Sequence, residues 1–99
     1  MTYILKYSSK AEAEYFTAFD YYEDQLDGLG DRFEQSVANK IDQIIKNPYQ
    51  YSGKKSNYRE SWVKDFPFLI VYKILVQKQI ILITSIFHTS RNPKKKYRK

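Results

Sequence analysis

The apolar positions of this 99-residue chain change period twice along its length. Tyr3 to Tyr7, YILKY, is short, aromatic and β-branched, which fits an opening strand. From Ser9 the spacing becomes helical. Ser9 and Glu12 stand three apart, as in a capping box, where a serine oxygen accepts from a free N–H and the glutamate reaches back. Tyr15, Phe16, Phe19, Tyr22 and Leu26 then form one apolar stripe, while Glu14, Asp20, Glu23, Asp24 and Asp27 fall mostly elsewhere and read as a solvated outer face. Gly28 can end this helix in a left-handed conformation, with Gly30 or Asp31 starting the next. Leu29, Phe33, Val37, Ile41, Ile44 and Ile45 make the second stripe, and Asn47-Pro48 stops it, because the residue before proline avoids the helical region. So short a connection predicts an antiparallel helical hairpin.

The period then drops to two. Tyr49 to Asn57 is a polar loop around Gly53, in which Lys54 and Lys55 can stand beside a sheet. Tyr58 to Lys64 alternates Tyr58, Glu60, Trp62 and Lys64 against Arg59, Ser61 and Val63, a half-exposed strand. Asp65-Phe66-Pro67 is a turn or bulge. In Phe68 to Leu75 the set Phe68, Ile70, Tyr72 and Ile74 suits the helices, and Leu69, Val71, Lys73 and Leu75 point outward. Val76 to Gln79 is a tight reversal, and Ile80 to Phe87, apolar on both faces, reads as a central strand. The order β-α-α-β-β-β predicts an α+β fold with a helical hairpin on one face of a mainly antiparallel sheet. Residues 1–93 form one domain and 94–99 a basic C-terminal tail.

Composition narrows the function. There is no cysteine and a single His, which excludes disulfides, thiolate metal sites and the standard zinc patterns, so no metal or other cofactor is expected. No apolar run approaches membrane-spanning length and the N-terminus lacks a signal-peptide core, so the expected location is the cytoplasm, with no membrane partner. Net charge is +6 but divided: residues 1–46 carry five Lys/Arg against nine Asp/Glu, residues 47–99 twelve against two. Halves of −4 and +10 favour a polyanion or an acidic protein segment as partner. The last strand runs into the lone His88 and then into a tail with six basic residues among the final nine.

The GLG of Gly28 to Gly30, the NP of Asn47-Pro48, VKDFPFLIVYKI from Val63 to Ile74 and IFHTSRNPKKKY from Ile86 to Tyr97 resemble the toxins of the RelE/ParE superfamily of bacterial type II toxin-antitoxin systems. The likeness spans nearly the whole chain. It implies a small growth-arresting toxin, held in a hetero-oligomer by an antitoxin encoded nearby. It also implies one of two actions: DNA gyrase inhibition, as associated with ParE-type members, or ribosome-dependent mRNA cleavage, as in RelE-type members. An unrelated basic RNA-binding domain fits less well, since neither an RNP-type aromatic strand nor a GXXG loop is present.

Metal-free RNA cleavage requires a base for the 2′-hydroxyl, cations for the developing phosphorane charge and an acid for the leaving oxygen. Lys64 and Arg91, with Lys54 and Lys55, are the candidates to supply charge, His88 is the candidate acid or base, and Tyr97 is placed to orient the reaction or stack a base. By the RelE-type pattern Arg91 and Tyr97 match the terminal pair and Lys64 one strand cation, while Trp62 and Leu69 occupy the places of two others. If the toxin is not an enzyme, target or polyanion contact falls to Lys54, Lys55, Arg59, Lys73, Lys94, Lys95, Lys96 and Arg98. Under that reading His88 is a buried strand-end residue or a contact, and Arg91 is a contact or an ion-pair partner of a helix carboxylate.

Overall fold

The computed structural model describes residues 2–51, 53 and 57–97. Two helices pack on one face of a four-stranded mixed sheet, as the sequence pattern predicts. The elements are β1 (Ile4–Tyr7), α1 (Ser9–Gln25), α2 (Leu29–Lys46), β2 (Arg59–Trp62), β3 (Phe68–Leu75) and β4 (Ile80–His88), followed by a 3₁₀ turn at Pro93–Lys95. Strand order is β1-β4-β3-β2. The hairpins β2–β3 and β3–β4 are antiparallel and β1–β4 is parallel, so β4 is central as its two apolar faces require.

The start of α1 differs from the capping-box expectation. Ser8, not Ser9, is the N-cap: its Oγ accepts from Ala11 N at 3.0 Å. The same hydroxyl donates to Thr84 O at 3.0 Å, so one side chain both caps the helix and ties it to β4. The buried stripe of α1 is also narrower. Ala11 and Ala18 are buried and Tyr15, Phe19 and Tyr22 pack beside them, whereas Phe16 and Leu26 are 59% and 62% exposed. Two alanines let the helix lie close to the sheet, a contact that a search for large apolar residues overlooks.

Gly28 adopts φ +88, the left-handed conformation expected of it, but serves as N-cap of α2, while α1 has already ended at Gln25. Glu23 locks this corner. Its two carboxylate oxygens accept from Gly28 N at 3.1 Å and Gly30 N at 2.9 Å, so it is not a solvated outer-face residue. In α2, Phe33, Val37, Ile41 and Ile44 are buried, and they meet Phe68, Ile70 and Tyr72 of β3 and Ile81, Ile83 and Ile86 of β4. Tyr72 ends beneath the helices with its hydroxyl donating to Pro48 O at 2.6 Å.

The opposite sheet face is only half open. Tyr58, Leu69, Val71 and Phe87 form a second small core with Tyr97 packed against it. Leu69 and Val71, expected to point outward, do leave the helical face, but the C-terminal segment returns to cover them.

Candidate functional site

Strand β1 pairs with only the first half of β4, from Ile4 beside Ile80 to Tyr7 beside Ile83. Beyond Ile83 the edge of β4 would be bare, and unpaired strand amides away from water are costly. The backbone of the N-cap Ser8 and the side chain of Glu14 in α1 fill the gap. Ser8 N donates to Ile83 O at 2.9 Å, and Glu14 Oε1 accepts from Ile86 N at 3.1 Å and from Ser85 Oγ at 2.8 Å. The second carboxylate oxygen of Glu14 accepts from Arg91 Nη1 at 2.8 Å. Glu14, assigned from sequence to a solvated face, is thus the junction between α1, the end of β4 and the residues beyond it. The available signal was its place beside the small residues Ala11 and Ala18, which mark the side of α1 that approaches the sheet.

Between α1 and the last residues of β4 lies a groove of about 510 Å³, walled by Thr17, Tyr21, Tyr22, Phe68 and Ile86 and bounded by Glu14, His88, Ser90 and Arg91. His88 faces this groove, its ring edge-on to Phe68 at 4.9 Å. Ser90 N lies 3.1 Å and Ser90 Oγ 2.7 Å from His88 Nδ1. A backbone N–H can only donate, so Nδ1 is the acceptor in this arrangement, which leaves Nε2 as the ring's donor position. His88 therefore offers the groove a donor.

Past Arg91 the chain crosses the end of the sheet. Asn92 Oδ1 accepts from Lys94 N at 3.0 Å and caps the 3₁₀ turn, and Lys10 Nζ donates to Lys95 O at 2.9 Å. The ring of Tyr97 stacks on Tyr58 at 4.7 Å with an interplanar angle of 24°, and Tyr58 Oη donates to Tyr97 O at 2.9 Å. Glu60 gathers the end of this strap, accepting from Tyr97 Oη and forming an ion pair with Lys96 Nζ at 2.9 Å. Burial first, and then the Glu60 carboxylate, push the Tyr97 phenol well above the ordinary tyrosine value. Tyr58, Glu60 and Phe87, which hold the strap, were not singled out by sequence reasoning.

The predicted site residues are consequently dispersed. His88 and Arg91 stand at the end of β4 on the helical side, with Arg91 bound to Glu14, while Tyr97 lies on the other sheet face. Lys64 is exposed beside Asp65 in the β2–β3 turn. Arg59 is turned to the 49–51 segment, with its guanidinium donating to Tyr51 O and lying over the Tyr49 ring at 5.0 Å. Lys73 lies 4.5 Å over the Tyr58 ring. Lys94 and Lys95 are exposed, and Lys96 is held by Glu60. Lys54, Lys55 and Arg98 lie outside the described residues. Among the described residues no group of His, Cys, Asp and Glu could hold a metal ion, and no helix is long and apolar enough to cross a membrane.

A helical hairpin on a mixed four-stranded sheet is the architecture of the RelE/ParE-like toxins, and solved structures share it. The chromosomal ParDE toxin-antitoxin system from P. aeruginosa superposes with a TM-score of 0.70 at 22% identity, covering 88% of this chain and 96% of that one. The intact E. coli RelBE toxin-antitoxin complex gives 0.68 at 15% identity, over 90% and 99% of the two chains. The isolated E. coli RelE toxin gives 0.68 at 13% identity, over 95% and 92%. A comparison with curated protein sequences found no match. The family described as the ParE toxin of the type II toxin-antitoxin system parDE matches residues 5–93. The chain belongs to that family and is a toxin of a type II toxin-antitoxin system.

Proposed function

We propose that this toxin arrests growth by binding an essential target, DNA gyrase, rather than by cleaving mRNA on the ribosome. The observation that carries this reading is the separation of the groups a metal-free nuclease would need. His88 and Tyr97 are on opposite faces of the sheet, and the arginine between them is bound to Glu14. Tyr97 is anchored twice, by its ring on Tyr58 and its hydroxyl on Glu60, and its raised phenol is a poor proton acceptor near neutral pH. Leu69, at one place where the RelE-type pattern has a cation, is buried beneath that same tyrosine. Trp62, at another, is 62% exposed on an edge strand and suits a protein contact better than phosphate stabilisation.

In this reading the toxin works in the cytoplasm, and a neighbouring gene supplies an antitoxin. Its amphipathic, partly acidic segment folds over the uncovered part of the sheet, where Leu82 lies between Lys6 and Lys73 and, in the next row, Ile80 lies between Ile4 and Leu75. Target contact falls to Trp62 and to the cations Lys64, Lys94 and Lys95. The decisive experiment pairs two readouts on induced cells and purified chain. Gyrase-dependent DNA breaks and inhibited supercoiling with intact transcripts support the proposal. Codon-positioned mRNA 5′ ends, abolished by Arg91→Ala or Tyr97→Phe, would replace it with the RelE-like reading.

A further inference from the structure

A second cleft, sharing no lining residue with the first, lies between the start of α1, the middle of α2 and the β1 edge. Its volume is about 310 Å³. Val37 and Ile41 contribute its aliphatic floor, Tyr7, Tyr15 and Phe16 its aromatic walls, and Glu12 and Glu34 its carboxylates. Phe16 is 59% and Tyr7 42% exposed, a large aromatic surface to leave in water. The ring of Tyr15 meets Phe16 edge-on at 5.4 Å, and its hydroxyl donates to Glu34 at 3.3 Å. Neither Glu12 nor Glu34 forms an ion pair among the described residues, although the chain as a whole carries +6.

We propose that this cleft binds a linear alkylammonium ligand, a small polyamine, with its methylene stem on the aliphatic floor and its charged ends on Glu12, Glu34 and the aromatic faces. The lining matches that chemistry at each point. Carboxylates meet ammonium groups, aromatic faces attract cations through their quadrupoles, and the apolar floor takes the intervening carbons. A compact hydrated metal ion would use only the carboxylates. Burial, with Glu34 beside it, pushes the Tyr15 phenol up to about 12, so at neutral pH its hydroxyl stays a neutral donor to Glu34.

The test is calorimetric titration of the purified chain with spermidine in dilute buffer, with 1,6-hexanediol and Mg²⁺ as controls. Saturable binding at one site is expected, accompanied by NMR shifts confined to the three elements around the cleft. The paired substitution Glu12→Gln and Glu34→Gln should weaken it by about tenfold or more. Phe16→Ala, which removes an exposed ring and leaves the core intact, should weaken it by about three- to fivefold. Thermal melts of each variant establish that it is folded. Absence of saturable binding, equal binding by Mg²⁺ or hexanediol, or full affinity in the folded double variant would each overturn the proposal.

Discussion

Tyr72 is the residue at which sequence and structure agree most closely, and it carries a pH prediction. Strand alternation places it on the helical face, where it is fully buried with its hydroxyl on Pro48 O. Burial pushes its phenol from 10.0 up to about 12; Arg59 nearby pulls the other way, and Tyr51 adds to the rise. Below pH 10 both folded and unfolded chains keep the proton. Between pH 10 and 12 only the unfolded chain releases it, so stability present below 10 is lost as pH rises through that window. Urea unfolding at pH 8, 10 and 11 should show this decline, and Tyr72→Phe should make it shallower while costing about 1 kcal/mol at pH 8 through the lost hydrogen bond. Identical slopes in the two proteins would remove Tyr72 as the source. Gly30 illustrates what alternation does not reveal. A Cβ there would lie 2.7 Å from Glu23 Oε1 and 3.1 Å from the Phe19 carbonyl oxygen. Gly30→Ala should therefore lower stability by about 1–3 kcal/mol in the same assay, because the helical corner must open to admit it. The GLG pattern marked the corner, but the reason for its second glycine lies in a carboxylate from the preceding helix.

Element existence and order were legible mainly because α2, β3 and β4 each bury an apolar face whose period survives in the sequence. The second stripe, Phe33 to Ile44, and the alternation from Phe68 to Tyr72 are both reproduced in the core. Connections made by polar side chains were not legible, since a glutamate spaced for solvent looks the same as one spaced for a strand edge. Glu14 is the main case. It completes the edge of β4 and binds Arg91, so Glu14→Ala should leave Ile86 N without its acceptor and cost about 2–4 kcal/mol, measured by denaturant unfolding. A cost below about 0.5 kcal/mol would mean that water replaces the carboxylate freely. The strap is a second such connection. Basic composition predicts solvent exposure for residues after Pro93, yet Tyr97 reaches the small core of Tyr58, Leu69, Val71 and Phe87. Ending the chain after Asn92 should expose that core, raise binding of a hydrophobic dye and lower stability by about 2–4 kcal/mol, as expected for losing a buried aromatic.

At the scale of the whole molecule the decisive property is the division of charge. The helical hairpin holds most of the acids, while the strands, the β2–β3 turn and the strap hold most of the cations. The strap turns part of that positive charge into a fixed surface, because the cap at Asn92 and the Tyr97 stack hold Lys94 and Lys95 in place at the end of the sheet. An ordered array steers an acidic partner at distances up to roughly a Debye length, about 10 Å at 0.1 M salt. If the target is gyrase engaged on DNA, inhibition of supercoiling should weaken steeply as salt rises from about 50 to 200 mM, mainly through slower association. The paired substitution Lys94→Ala and Lys95→Ala should reduce potency at low salt and flatten that dependence, without changing the unfolding midpoint, since both side chains are exposed. Trp62→Ala separates the apolar part of the interface from this field. It should reduce potency by tenfold or more, about 1.4 kcal/mol, equally at both salt concentrations, because an exposed indole anchors through desolvation and not through charge. A Trp62→Ala protein of full potency would place the target contact elsewhere on the molecule.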